Sequence, residues 1–181
     1  MSTALRLLVS DSYHAVTLQR VAREAGVSKG LVTYYFPSKD ALFQETIASY
    51  HERQLTLLQG IVRSRLPVRE RLELLVRSAF PSQKAVADEA RFQIEVWSFA
   101  KSRPEVAQWL REHYAAFRQA GAALLQVGVE EGLVAADRPE ERYAAIHAVI
   151  DGLSLQVAAD PDVDIAEVRR QALDAVMALL R

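Results

Sequence analysis

All six prolines of this 181-residue chain, and glycines 26 and 132, stand at joints between patterned stretches. Proline cannot occupy a helix interior without losing a hydrogen bond and clashing with the preceding turn, so it marks boundaries. Between the joints the sequence has helical period, is rich in Ala, Leu, Glu, Arg and Gln, and shows little β-branched alternation. The pattern predicts helices at residues 3–11, 17–25 and 28–35, then 39–65, 68–80, 82–101, 104–131, 138–159 and 164–181. Thr17, Ser28, Ser38, Ser82 and Asp164 stand where N-caps belong. Gly26 and Gly132 stand where helices close, Pro104 fits a first turn, and Asp160-Pro161-Asp162 reads as a turn. Short joints between long amphipathic helices imply an all-α protein of about nine helices. The expected organisation is an N-terminal three-helix unit at residues 1–46 followed by a larger helical bundle at 47–181.

Composition removes several classes. The chain has no cysteine, which excludes disulfide frameworks, cysteine zinc sites and thiol chemistry and suits a reducing cytoplasm. No run of eighteen apolar residues and no signal-peptide pattern occurs, so no membrane partner is expected. The net charge is −1, but residues 1–66 carry eight Lys and Arg against five Asp and Glu, while the remainder carries fourteen against eighteen. Any nucleic-acid contact is therefore expected from the N-terminal part.

Residues 17–36 carry the functional pattern. Ala25 is expected to face inward, small where two helices cross, and Gly26 supplies positive φ for a tight turn. Val27 is expected to bury against Val21. Ser28 caps the following helix and organises its free N–H groups, with the positive end of the dipole available to a phosphate. Lys29 and Thr33, about a turn apart, project from one side, and Gly30 between them leaves a bare backbone for close approach. Val32, Tyr35 and Phe36 are expected inside, with Tyr34 at the rim. The structural alternative is a plain helical hairpin within a bundle.

The stretch from Ala4 to Leu42 resembles the DNA-binding domain of the TetR family of transcriptional regulators. The resemblance is carried by Tyr13-His14-Ala15-Val16-Thr17, Val21-Ala22, Ala25-Gly26-Val27-Ser28-Lys29-Gly30, Tyr35-Phe36 and Ser38-Lys39-Asp40-Ala41-Leu42. The segments Glu95-Val96-Trp97-Ser98-Phe99, Arg103-Pro104 and Asp151-Gly152-Leu153 resemble the subgroup of the choline-responsive betaine-synthesis repressor. The resemblance implies a ligand-responsive repressor of double-stranded DNA, with Thr17 and Lys39 at phosphates, and Ser28, Lys29, Gly30, Thr33 and Tyr34 at the groove. Two positions depart from the pattern: Thr33 where many relatives have tyrosine, and Ser12 where a glycine is usual. Relatives also carry a further turn and a basic arm before the first helix, so fewer phosphate contacts, or a trimmed start, are implied.

One short helix reads only a few base pairs, so useful affinity calls for a homodimer with its two readers ~34–36 Å apart on a pseudo-palindrome. Ala145, Val149, Leu153, Ala172, Val176 and Leu180 on the last two helices are expected at the interface, or else in the protomer's own core. A small-molecule effector is expected among Phe92, Val96, Trp97, Tyr114, Phe117, Gly121, His147 and Asp151. Aromatic stripes at helical spacing are more often plain core, and the resemblance tips the reading towards a pocket. Gly121 is expected to leave room, and His147 and Asp151, four apart on one face, to supply polarity. Aromatics with a carboxylate suit a cation.

No enzyme is expected. Ser98 and Lys101 match a bare Ser-x-x-Lys, but its companion motifs are absent, as are nucleotide-binding, nucleophile-elbow and metalloprotease signatures. The histidines at 14, 51, 113 and 147 are scattered, so neither a metal nor another cofactor is expected. The alternative function is a helical interaction module that has lost DNA binding.

Overall fold

The computed structural model describes residues 3–135 and 137–181. Nine α-helices and no strand occur among them: α1 Thr3–Ser10, α2 Leu18–Ala25, α3 Lys29–Tyr35, α4 Lys39–Arg63, α5 Val68–Ala79, α6 Gln83–Ala100, α7 Pro104–Glu130, α8 Pro139–Ala159 and α9 Ile165–Ala178. A 3-10 turn at Tyr13–Ala15, absent from the sequence reading, joins α1 to α2. All five expected caps form. The side chains of Thr17, Ser28, Ser38, Ser82 and Asp164 accept from the backbone N–H groups of Arg20, Leu31, Ala41, Ala85 and Ala166 at 2.8–3.2 Å. Each satisfies one of the donors that a helix start leaves open.

Packing divides the chain differently from the linear cut at 46/47. One compact unit comprises Met1–Arg53 with Arg91–Trp109, and the other Gln54–Ala90 with Leu110–Arg181. The first is centred on Phe43, Phe92, Val96 and Ile47, all at most 1 % exposed. Phe43 meets Tyr13, Phe99 and Phe92 at ring distances of 5.2, 4.5 and 6.2 Å, and Phe92 meets Tyr50 at 4.9 Å. Residues 91–109 belong to this unit because Phe92, Val96 and Phe99, spaced four and three apart, turn one face of α6 onto it.

In the second unit α9 packs on α5 and α8. Its core includes Leu72, Phe80, Leu124, Leu125, Ile146, Val157, Ala172, Val176 and Leu180. Burying each large apolar side chain contributes roughly 1.5–3 kcal/mol before entropy is counted. Three arginines tie off helix ends here. Arg71 donates to the carbonyls of Val62 and Leu66, Arg169 to those of Phe80 and Pro81, and Arg142 to those of Leu179 and Arg181. Cations on C-terminal carbonyls satisfy orphan acceptors and oppose the helix dipole.

Candidate nucleic-acid interface and effector site

The turn between α2 and α3 is built by Gly26. Its φ is 68°, the Gly26 N–H donates to Arg23 O at 3.2 Å, and the Val27 N–H donates to Ala22 O at 3.0 Å. These two bonds form a Schellman closure, which needs a left-handed residue at this position. A Cβ on Gly26 would meet nothing within 4 Å, so conformation, not space, calls for glycine. Gly30 differs: a Cβ there would meet only Ser28 Oγ at 3.9 Å, and its backbone is ordinary helix.

Lys29, Gly30, Thr33 and Tyr34 are exposed, Tyr34 at 80 %. The Thr33 hydroxyl donates within the helix, to Lys29 O and Gly30 O at 3.1 Å each. That leaves its lone pairs and methyl group facing outward. Thr17 is exposed while capping α2. Lys39 is half-buried: its Nζ donates to Tyr13 O and His14 O at 3.2 and 3.4 Å and lies 4.3 Å above the Tyr13 ring. An ammonium has three donors, so one remains.

Three inward expectations for this motif are corrected. Ala25 is exposed, Val27 is 40 % exposed and Tyr35 66 % exposed. Val21, Ala22 and Val32 are fully inside, with Phe36 half-buried. The reason is an open, largely apolar cleft of about 370 Å³ whose walls include Val21, Ala25, Val27, Leu31, Val32 and Tyr35. These side chains line the cleft rather than closing on one another.

Tyr13 is a hub that the sequence reading did not assign. Its N–H donates to Glu95 Oε2 at 3.0 Å, and its hydroxyl donates to Asp40 Oδ1. Burial first, and then the Asp40 carboxylate, pushes the Tyr13 phenol up to about 12. The Tyr13 hydroxyl, with help from Arg103, holds the Asp40 carboxyl below its usual range.

The residues expected around an effector are shared between the two compact units. Phe92 and Val96 are core of the first unit, with no measurable exposure, and Trp97 lies on the outer side of α6 at 38 % exposure. Tyr114, Phe117, Gly121, His147 and Asp151 belong to the second unit. There the His147 ring stacks on Phe117 at 5.4 Å and 15°, with Tyr114 at 5.6 Å and Tyr143 at 6.4 Å. His113 meets Phe117 at 4.8 Å. His147 Nε2 lies 3.6 Å from Asp151 Oδ1, with side chains 22 % and 36 % exposed. Burial pushes the Asp151 carboxyl up, against the pull of His147. Burial likewise holds the His147 imidazole down, opposed by Asp151 and reinforced by Arg118. Burial, then His147, depresses His113 to about 4. Gly121 leaves no room, contrary to expectation. A Cβ there would fall 2.1 Å from the Tyr143 ring, which occupies the space.

The expected interface also divides. Ala145, Val149 and Leu153 lie half-exposed along α8. Ala172 and Val176, on the face of α9 packed on α5 and α8, and Leu180, just past its end, are at most 1 % exposed inside the protomer's own core. The half-exposed apolar residues of α9 are instead Ile165, Leu173, Ala175 and Met177. Among the described residues no cluster of three metal-ligating side chains occurs, and no helix is long and apolar enough to cross a membrane.

Comparison with known proteins agrees with this geometry. Residues 67–181 match the family described as BetI-type transcriptional repressor, C-terminal, and residues 1–46 match bacterial regulatory proteins, tetR family. The transcriptional regulator BetI of Rhizobium meliloti is 29 % identical over 156 residues, which cover 86 % of this chain and 74 % of that protein. BetI 1 of Chromohalobacter salexigens is 27 % identical, covering 88 % and 78 %. Among solved structures, a protein of Saccharomonospora viridis, described as a transcriptional regulator and crystallised in complex with choline, superposes with a TM-score of 0.82. It is 25 % identical, over 95 % of this chain and 90 % of that one. Bacillus subtilis FadR in complex with stearoyl-CoA shares the fold at a TM-score of 0.79 and 18 % identity, over 99 % and 96 %. A glycine-closed helical turn presenting Lys29, Thr33 and Tyr34, followed by helices matched from residue 67 to 181, makes this chain a DNA-binding transcriptional regulator of the TetR family, on its BetI-type repressor branch.

Proposed function

We propose that the protein represses transcription as a homodimer on a pseudo-palindromic operator and is released by a small organic cation. The observation that carries the DNA reading is the outward presentation of Lys29, Thr33 and Tyr34 on a helix whose start is fixed by Ser28 and the Gly26 turn. In this reading Lys29 meets phosphate or a guanine edge, and Tyr34 reaches backbone. Thr33 offers acceptor lone pairs and a methyl, which suits a thymine methyl or a base amino group. Gly30 lets the α3 backbone approach the groove. The Thr17 hydroxyl and the remaining Lys39 N–H hold phosphates. The half-exposed α8 stripe of Ala145, Val149 and Leu153 joins two copies.

Fluorescence anisotropy on duplexes from the region flanking the protein's own gene tests the assignment. Wild type binds, and Lys29→Ala weakens binding while lowering the slope of log K against log salt by about 1 per subunit. No binding even at low salt refutes it in favour of an interaction module.

The effector reading rests on Tyr114, Phe117, Tyr143 and His147 gathered beside the partly exposed Asp151 carboxyl. A cation gains from ring faces and from an ionised carboxylate together. The relative crystallised with choline supports the same chemistry. A ligand favouring the DNA-incompetent arrangement by ~1–3 kcal/mol lowers operator affinity about 5- to 150-fold. Calorimetric titration with choline, a neutral analogue and a long-chain fatty acid decides it. Binding of choline that is lost in Asp151→Asn supports the reading, and selective binding of the fatty acid removes it.

A further inference from the structure

We infer that Arg103 is a positioning residue for DNA binding, tying the junction of α6 and α7 through Asp40 to the turn that sets the start of α2. The inference rests on the DNA-binding reading for its functional consequence, but not for its structural one.

The Arg103 guanidinium is held from several sides. Its Nε and one terminal nitrogen donate to Asp40 Oδ2 at 2.9 and 2.7 Å. Its other terminal nitrogen donates to Phe99 O at 3.3 Å and Ser102 Oγ at 3.1 Å. Its central carbon lies 3.7 Å from the centre of the Phe99 ring. The Arg103 side chain is 24 % exposed. An ordinary surface ion pair is worth ~0–1 kcal/mol because both partners swing freely. A forked, ring-stacked guanidinium has already lost that freedom to packing.

Asp40 uses its other oxygen elsewhere: Oδ1 accepts from the Tyr13 hydroxyl. One carboxylate therefore bridges Arg103 to the 3-10 turn at Tyr13–Ala15, two residues before the Thr17 cap. The neighbouring Lys39 holds the same turn by the carbonyls of Tyr13 and His14. Glu95, also on α6, holds the Tyr13 N–H. The turn is thus fixed from α4 by Asp40 and Lys39, and from α6 and its end by Glu95 and Arg103.

Pro104 follows Arg103 and opens α7, which continues unbroken through Tyr114 and Phe117. A residue before proline has little conformational freedom, so a shift of α7 along its axis must carry Arg103 with it. Arg103 is where such a shift meets the carboxylate that sets the start of the reading motif.

The test uses the full-length protein with Arg103→Gln, Asp40→Asn and the charge-preserving Arg103→Lys. Hydrogen exchange followed by mass spectrometry on the DNA-free proteins gives the first readout. Exchange of residues 11–25 is expected to rise about tenfold in R103Q and D40N, to rise as well in R103K, which keeps the charge but loses the fork and the ring stacking, and to stay unchanged in α8 and α9. Unchanged exchange at 11–25 overturns the inference, as does a uniform rise across the chain. The second readout is affinity for the duplex that wild type selects from a random library. R103Q is expected to bind about tenfold more weakly with an unaltered salt slope. Unaltered affinity overturns the positioning role, and a reduced slope overturns it in favour of direct phosphate contact by Arg103. If wild type selects no duplex, the DNA-binding reading fails while the exchange data still decide whether Arg103 positions the turn.

Discussion

The ring of Tyr143 lies against the bare Cα of Gly121, so close that an added methyl would sit 2.1 Å from ring carbons. Tyr143 is 2 % exposed and cannot swing into water. The missing side chain on α7 is therefore filled by α8, and this close approach brings His147 onto Phe117. Gly121→Ala gains up to ~1 kcal/mol of helix propensity but overpacks the ring, at ~1–3 kcal/mol. Overpacking wins, and urea denaturation should show a net loss. Adding Tyr143→Leu should restore part of it, since the two changes share one space.

The two motif glycines should respond oppositely to alanine. Gly26→Ala forces a left-handed backbone on a residue with a Cβ and is expected to cost ~1–2 kcal/mol. Gly30→Ala has free space and ordinary helical backbone, so it should stabilise the fold by ~0.5–1 kcal/mol. If the α3 backbone approaches DNA, the same substitution weakens operator binding. A more stable G30A with full affinity would show that Gly30 has no role in the groove.

Stability should fall as the solution is acidified from about pH 6.5 to pH 4. His113 titrates at about 4 in the folded chain, held down by burial and then by His147. The unfolded chain binds that proton at an ordinary pKa of ~6.5, so between the two values protons favour unfolding. His147, shifted the same way, adds to this. Asp151 is shifted upward, so its contribution has the opposite sign, protons favouring the folded chain above an ordinary carboxyl pKa. Denaturation midpoints at several pH values for wild type, His113→Gln and Asp151→Asn separate them. The acid-side loss should be shallower in H113Q and steeper in D151N.

Two valines distinguish association from folding. Val149 is half-exposed on α8, whereas Val176 is fully buried on the inner face of α9. Val149→Glu should shift sedimentation velocity towards monomer with little loss of secondary structure. Val176→Ala should cost about 2 kcal/mol through a cavity and leave association unchanged. A V149E protein that remains dimeric moves the interface off this stripe.

Helix limits, the five caps and the Gly26 turn were legible in the sequence because they answer to local physics. A hydroxyl or carboxylate reaches its own helix start, a glycine alone takes positive φ cheaply, and proline stops a helix wherever the chain goes. What an apolar stripe packs against is not local. Phe92 and Val96 have the right spacing for a face, but only the tertiary structure set Phe92 against Phe43 and Tyr50. Ala172, Val176 and Leu180 would look the same in sequence whether they met a second copy or, as they do, the protomer's own α5 and α8. The bridge from Tyr13 through Asp40 to Arg103 spans ninety residues of chain. Periodicity fixes the direction of a side chain around its own helix axis, whereas its partner depends on how distant segments settle together, and that information is held by the assembled core.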